Sequence, residues 1–407
     1  MSTSPRVPEK LRPLFDNGLA EKLVALRENL HRHPELSFHE ERTGSLLYDE
    51  LKSLDPVKLD RVAKTGVIAR IAGRDPKAPV VAIRGDIDAL PIHEETGFDW
   101  ASENDGVMHA CGHDVHASWT IGAAHLLARE PADGDVLVLL QPAEEIGLGA
   151  PAVLESGALD EVKAIFGAHV DRRFAVGEVV AQEGQIAASA ETFEVRLRGV
   201  GGHGARPHEA NDPIVGLGAL VTALQTIVSR RLNPAHPGVV TIGKVQAGTA
   251  PNIIPEEALL AGTLRATDAK TRALLADSLR EISESIADAF GLSAAVRFPE
   301  CTPPIVNPPK TAAYAREAAI SVLGKDSLRP LGFLNMGGED FGHYMEAMPG
   351  CFIRIGAREE GGEMIPAHSP YFYAAEASIF IGAAILAETA RRASADLHTH
   401  AQQPGAD

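Results

Sequence analysis

The sequence predicts an α/β protein in which a smaller α+β domain is inserted into a larger domain. The chain has 407 residues, more than one ordinary hydrophobic core accommodates. Short β-branched runs alternate with helical stretches through its first half, which is typical of a buried, largely parallel sheet. Residues 189–301 have a complete β-α-β-β-α-β order of their own. We therefore expect one domain made of 1–188 and 302–407, and a second domain made of 189–301.

The larger domain is predicted from its helical patterns and its apolar runs. The first helix covers the region Leu23–Leu30, where leucines recur on one face, and another helical stretch covers Ser118–Ala128. After about Thr302 the chain returns to finish this domain, ending in the helix Ser378–Arg392 and a mobile tail that begins at Ala393. The strands are predicted at Val67–Ile71, Val80–Ile83, Val136–Leu140 and Ala164–Ala168.

The inserted domain is predicted to be a ferredoxin-like unit. Asp212 and Pro213 form an N-cap and first-turn signal for a helix that continues to about Leu232. A second helix begins at about Ala269 and is stopped by Gly291. The strands are predicted at Thr192–Arg198, Val239–Val245, Ala258–Arg265 and Ala294–Phe298.

Charge and composition narrow the classes of function. A net charge of −17 without a Lys/Arg cluster argues against nucleic-acid binding. No uninterrupted apolar run approaches the roughly 18 residues that span a bilayer, and the first residues lack the pattern of a secretory signal. The three cysteines do not make a disulfide framework. We expect a cytoplasmic protein without membrane or nucleic-acid partners, in which Cys111 is available as a thiolate.

The strongest chemical signal is the stretch 109–116, HACGHDVH. Thiolate, imidazole and carboxylate are the ligands that first-row divalent metals select. Cys111 and His113 are two residues apart, so both side chains can point to one side of a loop, and Gly112 lets the backbone turn between them. For this stretch alone, a histidine-rich loop with a free cysteine is the alternative interpretation.

Two further signals follow predicted strands, at the carboxyl ends where the active sites of α/β sheets gather. Glu144 and Glu145 come after Val136–Leu140, and His169 comes directly after Ala164–Ala168. One of two adjacent carboxylates can bind a metal while its neighbour takes a proton from water that the metal activates. Taken singly, a Glu pair is more often a solvated turn and a histidine more often a core or loop residue. Because these candidate ligands follow successive predicted strands, a metal site is favoured.

Three other residues are weaker candidates. His368 lies in the proline-bounded segment PAHSP, which can hold a ligand rigidly. Asp88 follows Val80–Ile83 and is the candidate acid that orients a ligand imidazole, the alternative being an Asp-rich turn. His203 lies in the glycine-rich stretch GVGGHGARPH, where it is either an oxyanion-stabilising group on a mobile loop or an incidental histidine of a linker.

These segments, in this order, resemble the M20 metallopeptidase family, and within it the amidohydrolase branch of aminoacylases, hippurate hydrolases and auxin-conjugate hydrolases. The resemblance extends from LHRHPEL at 30–36 to His368, nearly the whole chain. The matching motifs are RGDIDALP, MHACGHDVH, QPAEE, GAHV, GGHGARPH, APNIIP and GGEDF. The resemblance implies an aminopeptidase-like catalytic domain and an inserted domain that serves as lid and dimerisation domain.

The resemblance also implies residue roles and a cofactor. Glu144 corresponds to the general base, Asp88 to the acid behind the ligands and His203 to the lid histidine, while Asn252 and Arg265 correspond to positions that contact substrate polar groups. The cofactor would be two divalent metal ions, zinc or manganese first, with cobalt or nickel also open. A homodimer through the inserted domain, or a tetramer, is implied. The metal ligands would be Cys111, His113, Glu145, His169 and His368.

The predicted reaction is hydrolysis of the amide bond of N-acyl or N-aroyl amino acids, with Glu144 as base and His203 at the oxyanion. Departures from the family at 170–174 and 369–374 leave the acyl group open. The alternatives are a metal-dependent dipeptidase that needs a free α-amine, a catalytically silent metal- or amino-acid-binding protein, and a hydrolase with Cys111 as nucleophile.

Overall fold

The apolar runs of the first half of the chain form strands, each longer than the sequence predicts, and β5 (Val162–Ala175) by the most. The computed structural model describes residues 5–334 and 336–402, without the side chain of Glu300. The strands are β1 (Lys58–Val62), β2 (Gly66–Ile71), β3 (Val80–Asp86), β4 (Val136–Gln141), β5 (Val162–Ala175), β6 (Val179–Val180), β7 (Gly184–Ala187), β8 (Ser189–Arg198), β9 (Gly202–His203), β10 (Gly238–Ala247), β11 (Ile253–Ile254), β12 (Glu257–Ala266), β13 (Ser293–Thr302), β14 (Ile305–Asn307) and β15 (Gly350–Arg358).

Helices occupy the segments between these strands. They are α1 (Asn17–Arg32), α2 (Glu41–Lys52), α3 (His113–Arg129), α4 (Gly149–Glu155), α5 (Pro213–Leu224), α6 (Ala269–Ala289), α7 (Pro309–Leu323), α8 (Phe341–Ala347) and α9 (Ala377–Ala401). The contacts divide the chain into two units. The first comprises Met1–Gly184, Asn307–Gly332 and His343–Asp407, and the second comprises Gln185–Val306 and Phe333–Gly342.

The first unit is built on a seven-stranded sheet of order β1-β2-β4-β3-β5-β15-β6. Its four central strands, β4, β3, β5 and β15, are parallel, and the outer strands pair antiparallel with their neighbours. Every residue of β3 and β4 is buried, which explains why these strands appear in the sequence as continuous apolar runs. The carboxyl ends of the parallel strands meet at one edge, where ligands of α/β proteins bind.

Helix α3 packs against both the sheet and α9 and is buried along most of its length. The two helices approach closely because Gly382 of α9 faces the indole of Trp119. A Cβ atom at position 382 would lie 2.2 Å from the Trp119 ring. This contact packs the middle of α3 against α9.

The C-terminal helix is longer than predicted. The prediction of a mobile tail from Ala393 is wrong for the described residues, because α9 continues to Ala401. Ala393 and Ser394 are buried, and the Ser394 hydroxyl accepts a hydrogen bond from the N–H of Gly134 at 2.7 Å. Tertiary contacts of this kind order a segment whose local sequence carries little signal. Residues 403–407 lie outside the described part of the chain.

The second unit has a four-stranded antiparallel sheet of order β10-β12-β8-β13, covered by α5 and α6. This is the ferredoxin-like arrangement that the element order predicts. In β8, Phe193, Val195 and Leu197 are buried and alternate with less buried residues, as expected for a sheet with helices on one face. The predicted fold class is therefore confirmed, while the division into functional domains at 189 and 301 stays a prediction.

Helix α5 begins as predicted and ends earlier. The Asp212 side chain accepts from the N–H of Ile214 at 2.8 Å, and Pro213 occupies the first turn. The α-helix ends at Leu224 instead of about Leu232, and a short π-helical segment, Ile227–Arg231, follows. Among the described residues, only Pro213–Arg231 is long and apolar enough to span a membrane. One third of this segment is buried, and its exposed apolar residues include Ile214, Val215 and Val228.

Candidate metal centre

The loop before α3 carries two of the predicted ligands. Gly112 is the N-cap of α3 and has a φ of +87°, a conformation that favours glycine. A Cβ atom here would also lie 2.5 Å from Cγ2 of Val170. The tight turn places the Cys111 thiol where it donates to Nε2 of His169 at 3.3 Å, with His113 in the first turn of the helix.

The Glu pair follows β4 on a strained turn. Ala143 has a φ of +56°, and its N–H donates to the buried carboxylate of Glu40 at 2.9 Å. This contact holds a backbone conformation that is costly for a non-glycine residue. The turn directs both Glu144 and Glu145 toward His113, whose Nε2 lies 3.8 and 3.7 Å from their nearest carboxylate oxygens.

Asp88 stands behind this group, as predicted for an acid that orients a ligand. His113 Nδ1 lies 2.9 Å from the backbone oxygen of Asp88 and 3.2 Å from its Oδ1. The other carboxylate oxygen accepts from the hydroxyl of Ser37 at 2.7 Å and from the N–H of Glu145 at 3.0 Å. The Nδ1 side of the imidazole is therefore occupied, and Nε2 is directed at the carboxylates.

His368 reaches the group from a distant part of the chain. Its φ is +67°, and its N–H donates to the backbone oxygen of Ala110 at 2.8 Å. The imidazole Nε2 lies 3.4 Å from Glu145 Oε2, although half of the side chain is exposed. The hydrogen bond to Ala110 joins the loop that carries His368 to the loop that carries Cys111.

The arrangement fits two metal ions. Possible ligand atoms within 4.8 Å of one another occur in the groups Cys111–His113–His169 and Cys111–Glu145–His368, which share the thiol. His113 Nε2 and Glu145 Oε1 are buried without a hydrogen-bond partner among the described residues, and a cation between them would satisfy both. Thiolate with imidazole and carboxylate is a donor set that zinc and other first-row divalent ions accept.

The protonation preferences of the site agree with a cation there. Burial and the neighbouring Glu145 carboxylate raise the pKa of the Cys111 thiol. Hydrogen bonds to Cys111 and Glu145 raise the pKa of His368 to about 10. Burial, together with His116 and Arg354, holds the pKa of His169 well below its ordinary value, so this imidazole is neutral and able to act as a ligand. Positive charge is favoured between the thiol and the carboxylate.

The remaining predicted site residues belong to the second unit. β9 pairs with β11 so that His203 is opposite Ile253, the residue after Asn252, and the N–H of Gly204 donates to the Asn252 oxygen at 2.9 Å. Both His203 and Asn252 are exposed. Arg265 lies apart from them near the end of β12, and partial burial lowers the pKa of its guanidinium. The roles of these three residues stay predictions.

Asp86, His116 and Glu40 lie beside the predicted ligands but are not among the site residues predicted from the sequence. Asp86 and His116 are fully buried and lie 2.6 Å apart, Oδ1 to Nδ1, next to His113. A signal was present, because His116 is three residues after His113 and therefore on the same helix face. Glu40 carried no such signal, since its contact with the turn at Ala143 joins positions 103 residues apart.

Comparison with known proteins identifies the family. The model of peptidase family M20/M25/M40 matches residues 82–392. The chain is 40% identical to an N-acetylcysteine deacetylase of Bacillus subtilis over 93% of this chain and 98% of that protein. It is 35% identical to an IAA-amino acid hydrolase of Arabidopsis thaliana, over 95% and 89% of the two chains.

A solved structure agrees with these relatives. The structure of a dinuclear metal-binding peptidase of the M20 family from Bacillus subtilis has a TM-score of 0.80 and 36% identity, covering 92% of this chain and 98% of that one. The chain belongs to peptidase family M20. This M20 chain is a hydrolase that acts on amide bonds, as the sequence predicts. A dinuclear site, previously implied by resemblance, agrees with the two ligand groups that share Cys111.

Proposed function

We propose that the chain hydrolyses the amide bond of N-acyl amino acids at a dinuclear metal site held by the five predicted ligands. The observation that carries this proposal is the pair of ligand groups sharing the Cys111 thiol, with the Glu144 carboxylate close to His113 and Glu145. Relatives that act on N-acetylcysteine and on IAA-amino acids support the N-acyl amino acid as the substrate class.

The metal ions and the protein side chains have distinct roles in the proposed reaction. When bound, two divalent ions lower the pKa of water toward neutrality and polarise the substrate carbonyl. Glu144 takes a proton from the attacking water and returns one to the leaving nitrogen. It is suited to this role because it is 8% exposed and its nearest oxygen lies 3.8 Å from His113 Nε2, which places it beside the ligands. Asp88 keeps His113 in the orientation that directs Nε2 inward.

The second unit is proposed to supply substrate contacts. His203 would stabilise the developing oxyanion, and Asn252 and Arg265 would bind polar groups of the substrate. The pairing of β9 with β11 supports a common surface for His203 and Asn252. Removal of one oxyanion donor typically lowers kcat about 10²–10³-fold.

The identity of the metal, the oligomeric state and the cellular location are also proposals. Zinc or manganese suits the donor set best, with cobalt and nickel also compatible. A homodimer through the second unit is supported by its exposed apolar residues, among them Val215 and Val245. A reducing cytoplasm is supported by the finding that no disulfide joins the described cysteines Cys111, Cys301 and Cys351.

The proposal is tested with a panel of substrates and a variant of the proposed general base, Glu144. N-acetyl, N-benzoyl and indole-acyl amino acids are compared with free dipeptides, using native, chelated and metal-restored enzyme and Glu144→Gln. We expect metal-dependent release of the amino acid from the N-acyl substrates. Glu144→Gln should lower kcat by about 10²–10⁴-fold while metal content stays at the wild-type level, because the residue acts on protons.

The matched control is Glu155→Gln at the exposed end of α4, which should leave kcat unchanged. Preference for free dipeptides would replace the proposed activity with that of a dipeptidase. Activity that persists through chelation and in Glu144→Gln, yet is lost on thiol alkylation, would indicate Cys111 as a nucleophile.

A further inference from the structure

The histidine at position 116 makes two hydrogen bonds that together define its chemical form. It is fully buried in the first turns of α3. Its Nδ1 lies 2.6 Å from Asp86 Oδ1, and its Nε2 accepts from the N–H of Val170 at 3.0 Å. A backbone N–H can only donate, so Nε2 must be bare and Nδ1 must carry the proton. The ring is a neutral imidazole with both nitrogens occupied.

Asp86 is also held through its second carboxylate oxygen. The guanidinium of Arg84, also fully buried, donates to Asp86 Oδ2, and its Nε donates to Gln141 Oε1 at 2.8 Å. The close packing of α3 on β3 makes the contact with His116 possible. A Cβ atom at Gly85 would lie 2.7 Å from the backbone oxygen of His116. The Arg84–Asp86–His116 series therefore joins the end of β3 to α3.

The Val170 peptide connects this series to a predicted metal ligand. The ladder between β3 and β5 ends at the pair Arg84–Gly167, three residues before Val170. The Val170 N–H donates to His116 instead, and the Val170 oxygen accepts from Nδ1 of His169 at 2.6 Å. The two peptide groups on either side of the Val170 Cα atom are thus held, one by His116 and the other by His169. His169 is left with Nε2, which lies 3.3 Å from the Cys111 thiol.

Asp86, His113 and His116 also have possible ligand atoms within 4.8 Å of one another. A third metal site there would need a nitrogen of His116, yet both nitrogens are bonded to protein groups. It would also need Asp86, whose second oxygen is bonded to Arg84. The geometry therefore favours an orienting role over a ligand role for this histidine.

We propose that His116, held by Asp86 and Arg84, is a positioning residue that fixes the Val170 peptide and thereby presents Nε2 of His169 to the metal centre. This proposal rests on the proposed dinuclear function. It deepens that function by naming a group that acts on the metal site without binding metal. Partners of this kind typically contribute 10- to 100-fold to metal affinity.

Substitution of His116 by Gln or by Asn tests its two hydrogen bonds separately. The Gln side chain in His116→Gln can reach the Val170 N–H with its oxygen. The shorter Asn side chain in His116→Asn can keep a donor toward Asp86 but does not reach Val170. Zn²⁺ affinity of the metal-free proteins is measured by competition with a chromophoric chelator, together with the melting temperature of each metal-free protein. The control is His125→Asn on the same helix, whose Nε2 is buried without a partner among the described residues.

We expect two Zn²⁺ ions in the wild type and about 10- to 100-fold weaker binding of one of them in His116→Asn. His116→Gln should bind closer to the wild type, and His125→Asn should match it. Equal weakening in the Gln and Asn variants would overturn the role of the Val170 bond. A lower melting temperature in His116→Asn with unchanged Zn²⁺ affinity would leave only a structural role. Failure of the wild type to bind two ions would count against the dinuclear function itself, and against this inference with it.

Discussion

At the scale of single residues, Asp88 shows how one buried carboxylate organises a site. Burial raises its pKa, but the hydrogen bond and charge of His113, with the bonds from Ser37 and Glu145, outweigh burial and lower the pKa below its ordinary value. Asp88 is therefore an anion at neutral pH. Its two oxygens accept from three donors on separate segments. The motif RGDIDALP identified the residue as an acid behind the ligands, but its partners are visible only in three dimensions.

Replacing Asp88 with Asn tests this orienting role. In Asp88→Asn, the amide NH2 must face at least one donor, either His113 Nδ1 or the Glu145 N–H with Ser37. We expect metal affinity to fall about 10- to 100-fold and kcat/KM to fall with it. Chelator competition and steady-state kinetics measure the two effects. Asp60→Asn, at a half-exposed side chain on the edge strand β1, is the control. Wild-type metal affinity in Asp88→Asn would contradict the role.

At the scale of secondary-structure elements, the sequence predicts the starts of helices correctly and their ends less accurately. Asp212 caps α5 as predicted, because an N-cap is a local bond within a few residues. The end of α5 at Leu224 and the extension of α9 to Ala401 were missed. In α9 the burial of Ser394 and its bond to Gly134, 260 residues away, decide the outcome. No local pattern carries that information.

The cap of α6 gives a pH-dependent prediction. Burial raises the pKa of Asp268, but bonds from the N–H and hydroxyl of Thr271, at 2.8 Å each, outweigh it and lower the pKa. A depressed folded-state pKa adds stability above the unfolded value of about 3.9, and that stability is lost as the pH falls through the folded value. Asp268→Ala should therefore cost about 1 kcal/mol near pH 7, with a smaller cost at pH 3.

Urea unfolding of the full chain at the two pH values measures the cost of Asp268→Ala. Asp277→Ala is the control, since this residue is exposed in the middle of the same helix and its ion pair with Arg280, at 3.6 Å, is the one contact of its carboxylate among the described residues. A cost that is the same at both pH values would argue against a charged cap. Ala is the better helix former, so helix propensity predicts no cost in the control, and a similar cost there would show that the loss does not come from the cap.

At the scale of the whole molecule, the second unit exposes apolar residues on which the proposed homodimer rests. Strand β10 forms one edge of its sheet. Exposed edges that carry apolar side chains favour pairing with another chain. The large apolar residues exposed in this unit include Ile214, Val215, Val239, Val245 and Ile253. This surface is the basis for the proposed homodimer.

A charge placed on this surface should weaken the dimer. Val215 is 56% exposed, so Val215→Asp is expected to leave the fold intact and to shift the mass toward that of a monomer, because a buried unpaired carboxylate disfavours the interface. Light scattering over a range of protein concentrations measures the mass. Val57→Asp, at a 62% exposed position of the first unit, is the control. An unchanged mass in Val215→Asp would place any interface elsewhere.

The sequence alone determined the family, the fold class and a site built at the carboxyl ends of parallel strands. Buried strands, caps and ligand residues leave local signals within a few positions of the chain, as in HACGHDVH and QPAEE. The tertiary structure alone decided which distant groups meet. The bond of Val170 to His116, the support of Ala143 by Glu40 and the approach of His368 to Glu145 each join segments far apart in sequence. Such contacts depend on packing that short patterns do not encode.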